Sequence, residues 1–425
     1  MARTVVVIGA GLSGLSAAWA ARRRGARVVV VSAGAGASAL TSGAVDDVPW
    51  EQRARAARLL GFAAEPPAPE LPGVLDELAA ALGLWELPAG RICWLATMAG
   101  RLRPARGRDR ALLDLGRLSG TRVLLPRADR AGWDADALAA ALGDEPLARA
   151  RGLRFEAIDA PVLRYDDERR IADGDLAARH DDPARLDWLA AGLKRALPRG
   201  GGIGAVLLGP WLGVKAARAD ALGASVGVPV GEALAGSGSA AGLRFEAARD
   251  ALLRAIGAEQ VRGRARKVEV GDAKAQGSEA RIAVSVAVAM EGEGREGRLT
   301  ADAAVLAVGG VVGGGIAYAP PEHDAGQDLP PGGRPPFVLT LEAPVTLSAG
   351  GSALEAVSSL HGPELDAAAW PEGDVPSLLE AVGVSCAGIR AGRDLFAAGD
   401  VIAGRPRTAL EAVATGLRAG AEAAG

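Results

Sequence analysis

Gly9, Gly11 and Gly14, with Ala18 four residues beyond the last, stand between an apolar run, RTVVVI (3–8), and a helix-forming run, LSGLSAAWAARRR (12–24). A dinucleotide pyrophosphate needs this arrangement. Gly9 permits a tight turn, Gly11 lets a phosphate approach the backbone, and Gly14 with Ala18 lets the helix pack closely on the strand. The free N–H groups at the helix start then face the anion. The second apolar run, ARVVVV (26–31), ends at Ser32, where an acidic residue would ordinarily hold the ribose hydroxyls. Serine can still hydrogen-bond a hydroxyl, though less strongly than a carboxylate. Ala33 and Gly34 follow it, so no adjacent arginine suggests a 2′-phosphate.

At the far end of the chain an apolar strand, LFAA (395–398), runs into Gly399-Asp400, and a helix is expected about eight residues later. An aspartate so placed can accept a hydrogen bond from a ribityl chain. The N-terminus of the following helix can stabilise negative charge on a reduced flavin. A third segment, AAVLAVGG (303–310), reads as a buried strand ending in a small-residue turn at Gly309, which would return the chain to the dinucleotide. Ahead of it, a helix at 243–256 leads through Gly263 to Val268, whose backbone is the candidate contact for an adenine.

These motifs need a framework of alternating strands and helices. Residues 3–31 read as a βαβ unit of buried parallel strands. Helical patterns follow at 50–64 and 73–84, and a hairpin at 91–104 turns near Ala99-Gly100. Residues 120–240 have their own α/β rhythm, with strands at 121–126, 155–163 and 203–210 and helices at 134–142 and 183–197. Strands are expected at 268–270, 281–290 and 298–308, and a Pro/Gly-rich loop at 321–336. The fold class is therefore α/β: a Rossmann-like FAD/NAD(P)-binding domain, with a parallel sheet plus β-meander, from 1–90 and 243–425. An α/β substrate or cap domain is inserted over 91–242.

Length and composition agree. A chain of 425 residues is expected to form two domains, and 49% hydrophobic with 23% charged residues is a globular balance. The net charge of -3 argues against a nucleic-acid partner. All but four of the 48 basic residues are arginine, so a single arginine carries little information. Cys93 and Cys386 are the only cysteines, and His180, His323 and His361 are scattered, so neither a disulfide framework, a metal site nor an iron–sulfur cluster is expected. No signal peptide is legible. The most apolar stretch, 303–319, is short and broken by glycines, so no membrane span is expected and a cytoplasmic location is.

The order of motifs is similar to that of FAD-dependent oxidoreductases of the glutathione-reductase-like superfamily. Within it the chain resembles the B subunit of anaerobic glycerol-3-phosphate dehydrogenase. The segments that carry the resemblance are the opening 5–34, ALTSGAVDDV (39–48), TMAGRLRP (97–104), AVLAVGGVVGGGI (304–316) and GRDLFAAGDVIAG (392–404). It implies oxidation of sn-glycerol 3-phosphate to dihydroxyacetone phosphate, with electrons passing through flavin to a quinone pool. It also implies a larger catalytic flavoprotein subunit and an iron–sulfur membrane-anchor subunit as partners, and through them a place at the periphery of the inner membrane. Ser42 and Gly43 of the second segment join the cofactor residues on this basis. That segment lacks the histidine of covalently tethered flavins, so FAD is expected to bind non-covalently, with FMN as the alternative. The closing helix departs from the glycine-rich pattern. It begins Arg405-Pro406-Arg407-Thr408, and the arginines could supply charge near a reduced ring or lie in solvent.

A catalytic base is not legible. His180, in a turn-like ARHDDP expected at the surface, His323 and His361 each read more readily as structural, and Arg101 and Arg103 are guesses for a phosphate. Two other readings stay open: an oxidoreductase acting on an amine or another organic acid, and a non-catalytic assembly subunit with a degraded flavin site.

Overall fold

The computed structural model describes residues 2–45, 71–270, 282–288, 295–319, 338–342, 345–349, 352–353, 365–366, 383–384, 386–403, 405 and 407–425. The chain divides into two units, one of residues 1–38, 53–75 and 253–425, the other of 39–52 and 76–252.

The first unit begins with β1 (Thr4–Ile8), α1 (Leu12–Arg23) and β2 (Arg27–Ser32). After the second unit it resumes with β3 (Glu259–Arg262), β4 (Arg264–Val270), β5 (Ile282–Val288), β6 (Arg295–Ala301) and β7 (Ala303–Leu306). It closes with β8 (Thr346–Ala349), β9 (Arg390–Gly392), β10 (Leu395–Ala397) and α2 (Ala409–Ala424). One sheet has the order β3-β2-β1-β7-β10-β9. Its first five strands are parallel and β9 is antiparallel at the edge. Val5, Val6, Val7, Val28, Val29, Val30 and Val31 are all buried, as β-branched runs covered on both faces must be.

The second sheet of this unit is a meander. β4, β5 and β6 pair antiparallel, and β8 adds parallel to β4. The single strand expected over 298–308 is two strands in different sheets. Asp302 makes the break: its N–H donates to the Thr4 carbonyl at 2.9 Å and its carboxylate accepts the Thr4 N–H at 2.7 Å. Both bonds fix the chain at the start of β1 and pass it from meander to parallel sheet. Asp302 alone marks the break in the sequence, and its partner Thr4 lies 298 residues away. The expected helix at 50–64 and the loop at 321–336 lie outside the described residues.

The second unit holds a four-stranded parallel sheet in the order Val230–Glu232, Ile203–Leu208, Arg122–Pro126, Arg154–Ile158. Helices Ala135–Asp144 and Pro183–Ala196 start where Asp134 and Asp182 accept N–H bonds from the first turn. Trp211 is buried, packs edge-on against Trp133 at 5.4 Å and donates its indole N–H to Asp173 at 2.8 Å. The hairpin forms from Cys93–Ala96 and Leu102–Ala105.

The unit boundaries differ from the expected domains at 39–45, 76–90 and 243–252, all of which join the second unit. Pairing explains the first two. Ala44–Val45 and Trp85–Glu86 flank Gly107–Asp109 in a three-stranded sheet. For the third, helix Ala240–Ala255 inserts Arg244 into the second unit's core, where it meets Asp109 at 2.7 Å and Glu232 at 2.6 Å.

Candidate nucleotide site of the first unit

In an open parallel sheet a ligand binds beyond the strand C-termini, where neighbouring connections diverge. Here that point is the end of β1, with β2 on one side and β7 on the other. The Gly9 N–H donates to the Val31 carbonyl at 2.8 Å, which ties the glycine loop to the end of β2. Gly9 has φ +110°, and a Cβ there would overlap the Ala307 carbonyl oxygen. A Cβ on Gly14 would overlap the Gly9 carbonyl oxygen. These two glycines are required by the fold itself. Gly11 differs: a Cβ would meet only the Ser38 hydroxyl, at 3.3 Å. Its open side suits a close-approaching phosphate.

α1 has no side-chain cap from Gly11 and no acidic residue in its first turn, so its positive end is not neutralised locally. The Leu12 N–H donates to Ser38 Oγ at 2.9 Å, a contact sequence reasoning missed because 26 residues separate the pair. The backbone turn of Gly9 to Gly14, with Ser38 Oγ the one side-chain atom beside Gly11, fits a pyrophosphate.

The other side of the crevice is built from β7 and β10. Gly309, φ +81°, packs on Gly313, and Gly313 approaches the Ala37 amide. Gly399, φ +75°, donates its N–H to Thr415 Oγ1 at 2.9 Å, and a Cβ there would lie 2.7 Å from Ser13 Oγ. Asp400 follows. Burial pushes its carboxyl above the usual range and Arg407 pulls it back. The fold thus gathers Gly9, Gly11, Gly14, Gly309, Gly399 and Asp400 at one strand-end crevice. α2 holds the far wall: Gly416 and Gly420 lie directly against the Ser13 and Ala17 carbonyls of α1.

Ser32 lies at the end of β2, and its hydroxyl is engaged with the Gly34 backbone at 3.2 Å and 3.4 Å. Beside it are Arg262, its register partner, and Gly263, whose N–H donates to the Ser32 carbonyl at 3.0 Å. Val268 is placed apart, buried in β4 between β5 and β8. Ser42 and Gly43 belong to the second unit, where Gly43, φ +93°, packs on Asp109, Leu112 and Ala241. His180 corrects the expectation of a surface turn, because it is fully buried. Its Nδ1–H donates to the Trp211 carbonyl at 2.8 Å, and burial first, then Arg185, lowers its pKa to about 4. Arg101 is paired with Glu145 at 2.9 Å. His323 and His361 lie outside the described residues. No helix among the described residues is long and apolar enough to cross a membrane.

The class that this fold and its glycine loop define is a Rossmann-type dinucleotide-binding domain. Residues 4–57 match the FAD binding domain family, and the cofactor is FAD. No curated protein matches the chain. Among solved structures it is similar to a 3-ketosteroid Δ1-dehydrogenase from Sterolibacterium denitrificans, with 17% identity over 72% of this chain and 48% of that one and a TM-score of 0.30. An anhydrotetracycline hydroxylase from Streptomyces rimosus gives 12% identity over 100% and 62%, TM-score 0.32. A thioredoxin reductase from T. acidophilum gives 12% over 99% and 98%, TM-score 0.20. The chain spans 48% of the steroid dehydrogenase and 62% of the hydroxylase.

Proposed function

We propose that this flavin-dependent oxidoreductase oxidises a small phosphorylated alcohol, sn-glycerol 3-phosphate, to the ketone, with electrons passed to a quinone pool. The observation that carries the redox reading is the convergence of the glycine turn at β1 with Gly399-Asp400 at β10 around one crevice. The choice of substrate rests on the resemblance of the segments at 39–48, 97–104 and 392–404. The same resemblance supports work beside a catalytic flavoprotein subunit and an iron–sulfur anchor subunit, with the chain peripheral to the inner membrane through them.

When bound, FAD would supply a two-electron acceptor for the hydride of an alcohol carbon. The chain's own residues would do the rest. The backbone from Gly9 to Gly14 would hold the pyrophosphate at the start of α1. Ser32 would meet the adenosine ribose. Asp400 would accept a hydrogen bond from the ribityl chain, which needs its carboxylate form. Gly399 and Gly309 keep side chains out of the path between them.

The test is anaerobic addition of glycerol 3-phosphate to the FAD-loaded protein while the flavin absorbance is followed. Bleaching by this substrate, and not by a panel of amines and other organic acids, supports the reading. Bleaching by an amine or another acid would move the assignment to that substrate. A protein that takes up no added FAD would leave the assembly-subunit role.

A further inference from the structure

Ser32 leaves the end of β2 without the carboxylate that ordinarily accepts hydrogen bonds from the adenosine ribose. Its own hydroxyl is engaged with the Gly34 backbone at 3.2 Å and 3.4 Å. Arg262 stands beside it. The two are register partners at the C-terminal ends of the parallel strands β2 and β3, so their side chains leave the sheet on the same face. Arg262 is exposed, and among the described residues its guanidinium has no hydrogen-bond or ion-pair partner. Other arginines along this edge are engaged. Arg27 pairs with Glu259 at 2.7 Å, which also removes the nearest carboxylate of β3, and Arg22 donates to the Ile256 carbonyl at 2.7 Å. Arg264 belongs to the meander, where it is the register partner of Ala287 in β5. The loop beyond β2 leaves room, since a Cβ on Gly34 or Gly36 would meet nothing within 4 Å.

Topology says which half of the dinucleotide would lie here. The sheet order β3-β2-β1-β7 puts the pyrophosphate turn at β1 and the adenosine on the β2 and β3 side. A ribose hydroxyl both donates and accepts hydrogen bonds, so a guanidinium can replace a carboxylate with the direction of the bonds reversed. The N–H groups of Arg262 would donate to the ribose oxygens, and a charged donor makes the stronger bond that Ser32 cannot supply. We propose that Arg262 is the residue that recognises the adenosine half of the cofactor, so that the chain takes FAD in preference to FMN. This deepens the site reading above and rests on it.

The test titrates the full apo chain with FAD and, separately, with FMN, following flavin fluorescence. Wild type is expected to hold FAD more tightly than FMN. Arg262→Gln is expected to weaken FAD about tenfold or more and to leave FMN unchanged. Because Arg262 is exposed, the variant should fold as wild type does, which circular dichroism checks. Arg262→Lys keeps the charge and is expected to hold FAD more tightly than Arg262→Gln. An unchanged FAD affinity in Arg262→Gln overturns the assignment. Equal weakening of FAD and FMN overturns it too, since that is the mark of a structural role rather than of contact with adenosine. A lysine variant no better than the glutamine variant rules out the charged contact. A wild-type chain that holds FAD and FMN equally overturns the assignment and leaves the flavin site standing. One that takes up neither overturns the site reading first.

Discussion

Ser38 Oγ accepts the backbone N–H of Leu12 at 2.9 Å, and so serves the first turn of α1 from outside the helix. The glycine loop has no side chain with which to cap that turn. Ser38→Ala would leave the Leu12 N–H without its acceptor, at a cost of about 1 kcal/mol. Thermal unfolding of the apo protein should show a Tm lowered by a few degrees. An unchanged Tm would mean that the contact contributes nothing to the loop.

The glycines of the loop should separate by experiment. Gly14→Ala would place a Cβ on the Gly9 carbonyl, so the variant is expected to lose folded protein or several degrees of Tm. Gly11→Ala meets only a hydroxyl at 3.3 Å. It should fold nearly as well as wild type while binding FAD at least tenfold more weakly. Circular dichroism and flavin titration on both variants would decide. Equal FAD affinity in Gly11→Ala and wild type would remove Gly11 from the pyrophosphate contact.

Arg244 in the second unit is buried between Asp109 and Glu232 and also donates to the Gly213 carbonyl at 2.7 Å. Removing one partner of a buried ion cluster leaves uncompensated charge. Arg244→Met should therefore destabilise the protein by about 3–5 kcal/mol in urea unfolding. A loss under 1 kcal/mol would show that the carboxylates find water or become neutral at little cost.

His180 should give stability a pH dependence. Its pKa is about 4 in the folded chain against an ordinary value of 6.5. The unfolded chain therefore binds the proton first as pH falls. Stability from the neutral imidazole is full above pH 6.5 and is lost between there and about pH 4, by roughly 3 kcal/mol. Denaturant midpoints across that window should fall in wild type. His180→Gln should flatten that slope, and an equal slope in both proteins would assign it to other groups.

Most parallel strands of both units, though not Glu259–Arg262 or Val230–Glu232, were legible because their signals are local, as were the fingerprint Gly9–Gly14 and the strand before Gly399-Asp400. A buried strand is a short β-branched run, a pyrophosphate turn is a glycine spacing, and a helix start is Asp134 or Asp182 before an apolar period. The sequence by itself therefore determined an α/β flavoprotein with its nucleotide loop at β1. What it could not determine depends on partners far apart in the chain. Asp302 divides one expected strand between two sheets because it bonds to Thr4. His180, set in a polar turn-like string, is buried because the Trp211 carbonyl receives it. Of two similar arginines, Arg405 reaches Glu411 and Arg407 lies beside Gly310. Hydropathy and spacing measure what a residue is and what stands near it in the chain. Only tertiary structure, where burial and hydrogen bonding act across hundreds of residues, decided what each one faces.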